Sequence, residues 1–171
     1  LLIGILPAFL LTKQRIIFSK PSLYLAILLG LVIILPNLLW QYKNNFPVFH
    51  HLKQLTETQL IYVDRYDFFK NQLLFFMGSL FVIFASLYAL IFYRPFIKYR
   101  IFIFSILFTL ITFIYFKAKD YYAIGIYPIY IAFGAVYLAD FLKVGWRKYL
   151  QPMAVAVPIL LFFPILNVAF P

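Results

Sequence analysis

The sequence predicts an all-α integral membrane protein, and three observations support this fold class. The first is composition: 65% of the 171 residues are hydrophobic and 12% are charged, whereas a soluble domain is about 45–50% apolar and about 25% charged. The second is a series of six apolar stretches separated mostly by short basic clusters. The third is an aromatic content of 22%, which is typical of helices that meet lipid headgroups.

Charge and cysteine content narrow the function classes. The net charge is +10, but the basic residues stand in short clusters between apolar stretches. This favours anchoring at a membrane face, and we expect no nucleic-acid partner. The chain contains no cysteine, so it has neither a disulfide nor a thiolate site. His50 and His51 are adjacent and point about 100° apart on a helix, so we expect no metal site there. We expect no cofactor, with a divalent metal left open.

The first two spans are predicted at residues 1–12 and 22–40. The first is about half as long as the ~20 residues that a full span needs, so we expect this chain to be the C-terminal part of a longer protein. Pro21 suits the first turn of the second span. Trp40 and Tyr42 are placed as an aromatic belt at its end.

Residues 41–67 form the one long polar stretch and are predicted to lie on the outer face. Asn45 and Pro47 mark a helix start, and apolar residues then recur at roughly helical spacing: Val48, Phe49, Leu52, Leu55 and Leu60. This pattern predicts an amphipathic helix on the membrane surface. Asp67 is predicted to cap the third span.

The remaining spans are predicted at 68–93, 101–116, 121–142 and 152–171. The loops after spans one, three and five hold nine of the fifteen lysines and arginines, and the opposite side holds six. Lys/Arg counts set orientation, so the richer side is predicted to be cytoplasmic. The stretch 41–67 and the motif "KDYY" (residues 119–122) then share the outer face.

The start of the fifth span carries the candidate site. On a helix, an acid, three phenols and a glycine fall near one face together with isoleucine; the residues are Asp120, Ile124, Tyr127, Tyr130 (or Ile131), Gly134 and Tyr137. A stripe of this kind is costly against lipid, so we expect it to face the bundle or a water-filled cavity. Lys119 and Tyr122 are three residues apart and are placed to converge on one anion. The alternatives are an interfacial lysine–tyrosine belt and a phosphate or pyrophosphate site.

Other residue patterns favour no particular chemistry. Glu57, Asp64, Arg65 and Asp67 fit a solvated helix face with a cap better than a general acid–base pair. The sequence has no Gly-rich phosphate loop, no GxSxG and no HExxH.

Three stretches carry a resemblance to a known family: "LPNLLWQYKNNFPVFHHLKQLTETQL" (35–60), "DFFKNQLLFF" (67–76) and "KDYYAIGIYPIYIAFGAVYL" (119–138). The chain resembles bacterial glycosyltransferase family 39-type membrane proteins, relatives of protein O-mannosyltransferases and of the lipid A aminoarabinose transferase. The resemblance implies a GT-C-like fold in a multi-pass protein of the bacterial inner membrane. It covers most of the chain from residue 35 to residue 138.

The resemblance also implies an activity and roles for residues. Such an enzyme transfers a sugar from a polyprenyl-phosphate donor to a lipid or protein acceptor on the outer face of the membrane. Lys119 and Tyr122 would hold the donor phosphate, while the residues that shape or line the cavity would be Asp120, Tyr121, Tyr127, Pro128 and Tyr130. The catalytic carboxylate of such proteins lies in an early outer loop, so we expect it upstream of residue 1. Two alternatives stay open: a transporter or flippase of a lipid-linked or anionic substrate, and a non-catalytic membrane assembly subunit.

Overall fold

The computed structural model describes residues 2–169, with the side chains of 162 and 164–169 excepted. This part of the chain is helical and contains no strand, which confirms the all-α prediction. Its α-helices are α1 Leu2–Leu10, α2 Pro21–Lys43, α3 Pro47–Thr58, α4 Arg65–Phe75, α5 Leu80–Phe92, α6 Ile101–Tyr115, α7 Tyr127–Phe141 and α8 Gln151–Ala169. The 3₁₀ segments are Lys13–Ser19, Leu60–Tyr62, Met77–Ser79, Arg94–Tyr99, Asp120–Ile126 and Gly145–Leu150. The predicted first and last spans include residues 1, 170 and 171, which lie outside the described residues.

Within residues 2–169, two helical segments are long and apolar enough to cross a membrane. They are α2, with 23 residues, and the continuous segment Asp120–Phe141, with 22 residues. Two bent pairs raise the number to four if each pair is one span: Leu2–Leu10 with Lys13–Ser19, and Arg65–Phe75 with Met77–Phe92. The helix α6 is apolar but has only 15 residues. By length and composition, therefore, two to four spans are supported.

The predicted third span, 68–93, is broken in the structure. The chain bends by 64° between Arg65–Phe75 and Met77–Phe92. The helix α4 also begins earlier than predicted, and its N-cap is Asp64, whose Oδ1 accepts a hydrogen bond from the Tyr66 backbone N–H. The prediction that Asp67 is the cap is therefore wrong. Asp67 lies in the first turn and pairs with Lys70 at 2.7 Å.

The buried core is formed mainly by α5, α6 and α7. A Cβ added to Gly134 of α7 would lie 2.0 Å from the carbonyl oxygen of Val82 on α5, so only glycine permits this crossing. Tyr130 is 2% exposed, and its hydroxyl donates to the Phe102 carbonyl on α6 at 2.7 Å. Small residues that let helix backbones approach closely are typical of membrane helix packing.

The helices α1 and α6 pack in the same way. A Cβ on Gly4 would lie 2.6 Å from the Cα of Thr109. Thr109 itself is 1% exposed. The crossing holds α1 along α6 and brings the segment that follows α1 to the N-terminal end of α6.

The helices α2 and α3 bury no side chain. A helix that is apolar on all sides is typical of a membrane span.

The helix α2 ends in a Schellman motif: the N–H groups of Phe46 and Asn45 donate to the carbonyls of Gln41 and Tyr42 at 2.7 and 3.3 Å. Asn45 has the left-handed conformation, with φ of 56°. Pro47 then opens α3, so a helix starts where the sequence predicts it.

Candidate functional site

The candidate site lies beyond the C-terminal end of α6, where a tight reversal returns the chain to α4. Ala118 N–H donates to Phe113 O at 2.8 Å and Lys117 N–H donates to Ile114 O at 3.3 Å, which is a second Schellman motif. Lys117 takes the left-handed position, with φ of 50°. Arg65 of α4 also donates from Nε to Ile114 O at 3.3 Å. Its positive charge lies at the negative end of the α6 dipole and stabilises the reversal.

Asp120 accepts three hydrogen bonds, and two of them join this reversal to α4. Its Oδ2 accepts from Nδ2 of Asn71 at 2.5 Å, and its Oδ1 accepts from the Tyr121 N–H at 2.8 Å. Its backbone carbonyl accepts from Nε2 of Gln72 at 2.9 Å. Because both carboxylate oxygens are engaged, Asp120 acts in this geometry as an anchor for the segment that precedes α7.

Lys119 connects the same segment to the polar stretch 41–67. Its Nζ donates to Oε1 of Gln59, just after α3, at 2.6 Å. A lysine ammonium has three donor hydrogens, so two remain for another acceptor. Lys119 is half-buried. The polar stretch and the "KDYY" motif are thus in direct contact.

A cavity of about 270 Å³ opens beside Lys119 and Asp120. Asp64 and Asp67 of the α4 N-terminus and Asn71 also line it. Ligand pockets usually have volumes of about 300–1,000 Å³, so this cavity has room for a small polar group. Within residues 2–169, no cluster of three or more histidine or acidic side chains is arranged to hold a metal ion.

The other predicted site residues lie outside this cavity. Tyr121 and Tyr122 are about half exposed, and their ring centroids are 4.7 Å apart. The N–H of Tyr122 donates to Lys119 O at 3.1 Å, which keeps the two residues in one turn. Pro128 is exposed. Tyr127 is buried against Phe76, with ring centroids 4.1 Å apart.

Tyr130 lies in the core with its hydroxyl bonded to Phe102 O, as described above. It faces an apolar groove of about 510 Å³ between α1 and α6, away from Lys119. The structure therefore brings Lys119 and Asp120 together in one cavity, leaves Tyr121, Tyr122 and Pro128 at the surface, and packs Tyr127 and Tyr130 into the core.

Sequence reasoning missed Gln59, Asn71 and Gln72 as members of the site. A signal was present for two of them, because Asn71 and Gln72 stand inside the apolar stretch predicted as the third span. Polar side chains in a span are costly without partners. Gln72 is 4% exposed, and its bond to the Asp120 carbonyl supplies such a partner.

Hydrogen bonds also join distant segments at the other end of the helices. Gln14 donates from Nε2 to Lys98 O at 2.9 Å, which joins the loops after the first and third predicted spans. Tyr93 donates from its hydroxyl to Asp140 Oδ2 at 3.1 Å. Asp140 also pairs with Lys143 at 2.6 Å, and this contact raises the pKa of Lys143. The loops at this end hold nine of the fifteen lysines and arginines of the sequence.

No family model, no curated protein and no solved structure matches this chain in comparisons of sequence and of fold.

Proposed function

We propose that this chain is part of a membrane glycosyltransferase that takes a sugar from a polyprenyl-phosphate donor and transfers it to a lipid or protein acceptor. The observation that carries the proposal is the contact of Lys119 Nζ with Gln59 Oε1 at 2.6 Å. It fixes a cation with spare donor hydrogens at the surface, beside exposed Tyr122. The proposal also includes a GT-C-like fold with six membrane spans and a location in the bacterial inner membrane.

The chemistry needs a positive group at the leaving phosphate. When the glycosidic bond to the phosphate breaks, negative charge grows on the phosphate oxygens. A fixed ammonium and a phenol hydroxyl stabilise this charge more in a site of low dielectric than in water. In the proposed arrangement, Lys119 supplies the charge and Tyr122 donates a hydrogen bond.

Electrostatics within the cavity decide on which side of Lys119 the phosphate binds. Asp64, Asp67 and Asp120 line the cavity, and three carboxylates repel an anion. The phosphate therefore approaches Lys119 from the exposed Tyr122 side. This geometry leaves the cavity itself to a neutral or positively charged part of the substrates, such as sugar hydroxyls or an amine.

The carboxylate that deprotonates the acceptor is not assigned to this chain. Asp64 caps α4, Asp67 pairs with Lys70, and Asp120 is bonded to Asn71. Each of these carboxylates therefore has a structural partner already. None of these three carboxylates is therefore proposed as the catalytic base.

A transporter is the second candidate, because the break between α4 and α5 resembles the discontinuous helices of transporters. In those proteins the break lines a substrate cavity. Here Phe76 stacks on Tyr127 at the break, and a Cβ on Gly78 would lie 2.9 Å from the carbonyl oxygen of Pro158. Because the break is filled by packed residues, it favours a structural bend over a substrate path.

The proposal is tested by measuring donor binding and turnover with Lys119→Gln in the full-length membrane protein. Loss of one charge-assisted hydrogen bond is worth about 1.5–3 kcal/mol, so the affinity for polyprenyl phosphate should fall by roughly tenfold to hundredfold. Lys53→Gln is the matched control, since Lys53 is an exposed lysine of α3 near the same face. Unchanged affinity and turnover in Lys119→Gln would overturn the assignment.

A further inference from the structure

A second cavity, of about 630 Å³, opens at the N-terminal end of α6 between the 3₁₀ segments Lys13–Ser19 and Arg94–Tyr99. It lies at the other end of α6 from Lys119. A 15-residue helix is about 22 Å long at 1.5 Å per residue. The two sites are therefore separated by roughly the length of this helix. We refer to the second cavity as the basic cleft.

Four cationic side chains line the basic cleft, namely Lys13, Arg94, Lys98 and Arg100, and none of its described lining residues is acidic. Arg100 is bonded to the Ile91 carbonyl at 2.6 Å. Lys98 lies 4.9 Å above the ring of Tyr99. Lys13 and Arg94, in contrast, have no carboxylate partner within residues 2–169. Their charges are available to an anion.

The backbone of α6 adds to this positive potential. Ile101, the first residue of α6, lines the basic cleft. The N-terminal end of a helix carries a partial positive charge. The cleft therefore combines side-chain charges with the positive end of a helix dipole, and both favour an anion such as phosphate.

An apolar groove of about 510 Å³ continues from the basic cleft. The two share Gln14 and Ile101 in their linings. The groove follows α6 from Ile101 to Thr109, a distance of about 12 Å at 1.5 Å per residue. One leaflet of the hydrocarbon core is about 15 Å thick. A groove of this length and character fits most of an acyl chain.

We propose that the basic cleft and the apolar groove together bind one anionic phospholipid, with its phosphate in the cleft and an acyl chain in the groove. The cationic side chains of the cleft complement the negative charge of a phosphate. Because the apolar groove adjoins the cleft, a lipid fits the two cavities better than a free anion. Basic pockets between membrane helices on the cytoplasmic side are suited to such headgroups, and the basic loops are predicted to lie on that side. The proposal does not depend on the glycosyltransferase function.

Binding of the headgroup phosphate in the basic cleft is tested with the double variant Lys13→Gln/Arg94→Gln. Native mass spectrometry measures how much phosphatidylglycerol stays bound to the purified protein. The affinity should fall by about fivefold for each charge removed. Lys53→Gln/Lys117→Gln removes two charges at the opposite end and should leave binding unchanged. Equal binding by wild type and the Lys13→Gln/Arg94→Gln variant would overturn the proposal. Equal binding of phosphatidylglycerol and phosphatidylcholine by the wild type would do so as well.

Binding of the acyl chain in the apolar groove is tested by filling the groove with a larger side chain. Gly125 lines the groove, and a Cβ added there meets no atom within 4 Å. Gly125→Leu should therefore fold and should weaken binding of long-chain phosphatidylglycerol without weakening binding of its dihexanoyl analogue. Gly30→Leu is the matched control, because Gly30 is equally open but lies on α2.

A competition arm distinguishes the lipid from a soluble phosphate. Glycerol 3-phosphate should not displace long-chain phosphatidylglycerol at equal concentration, because it lacks the chain that occupies the groove. Displacement at equal concentration would mean that the cleft binds a soluble phosphate and would overturn the lipid assignment. In Gly125→Leu, an unchanged affinity for long-chain and for dihexanoyl phosphatidylglycerol would show that no acyl chain binds in the groove. This result would also overturn the lipid assignment.

Discussion

Asn71 donates a hydrogen bond from Nδ2 to Oδ2 of Asp120 at 2.5 Å, across 49 residues of sequence. This contact and the bond from Gln72 to the Asp120 carbonyl join α4 to the segment that precedes α7. Lys119 lies next to Asp120 in the chain, so its position depends on the same contact. The proposed phosphate site is therefore supported by polar residues of a helix that sequence reasoning treated as lipid-embedded.

Asp120→Ala should destabilise the protein and weaken binding at Lys119 together. Loss of a hydrogen bond to a charged group costs about 1.5–3 kcal/mol, and Asn71 would lose its partner. Thermal unfolding in mild detergent measures the first effect, and binding of polyprenyl phosphate measures the second. Asp67→Ala serves as the control for stability, because its ion pair with Lys70 is exposed and contributes little. Equal stability of the two variants would contradict the anchoring role.

Gly134→Ala should strongly destabilise the protein. The added methyl group would lie 2.0 Å from the carbonyl oxygen of Val82, so α5 and α7 would have to separate. Overpacking of this kind typically costs about 1–3 kcal/mol. Gly30→Ala is the control, because a Cβ at Gly30 meets nothing within 4 Å and alanine favours a helix over glycine. A similar unfolding temperature for both variants would show that the crossing is looser than the structure has it.

The sequence predicted the α7 stripe only in part, because the chain is not α-helical throughout this segment. Tyr127, Tyr130 and Gly134 lie in α7 and are all buried, as α-helical spacing requires. Asp120 belongs to the 3₁₀ segment Asp120–Ile126, which has about 3.0 residues per turn. Its direction therefore does not follow from α-helical spacing. It is determined by Asn71 and Gln72, which are distant in sequence.

Tyr130→Phe should reduce stability by about 1 kcal/mol, the typical value of one hydrogen bond. The hydroxyl donates to Phe102 O at 2.7 Å in a position that is 2% exposed. Donor binding at Lys119 should not change, because Tyr130 lies in the core and faces the groove beside α1. Tyr115→Phe is the control, since Tyr115 is 72% exposed. A loss of donor binding in Tyr130→Phe without a loss of stability would instead make Tyr130 part of the binding site.

The start of α4 also could not be predicted from the local sequence alone. Both Asp64 and Asp67 are suitable N-cap residues by type, and the apolar stretch after Asp67 favoured the later one. The structure selects Asp64, since α4 begins at Arg65 and Arg65 bonds the Ile114 carbonyl at the end of α6. This contact between distant residues accompanies the earlier helix start. Pro47, in contrast, marks its helix start by its own backbone geometry, and the sequence located it correctly.

The predicted two-sided arrangement can be tested by cysteine labelling, because the chain contains no cysteine of its own. Lys98→Cys and Lys148→Cys carry the label in basic loops, while Lys53→Cys carries it in α3. In intact cells a membrane-impermeant maleimide should label Lys53→Cys only, and the other two should react after permeabilisation. The reason is physical: Lys/Arg-rich loops are retained on the cytoplasmic face. Lys119 binds Gln59 next to α3, and we predict that both lie on the opposite face. Labelling of Lys53→Cys and Lys98→Cys from the same side would contradict both the six-span topology and the outer position of the Lys119 site.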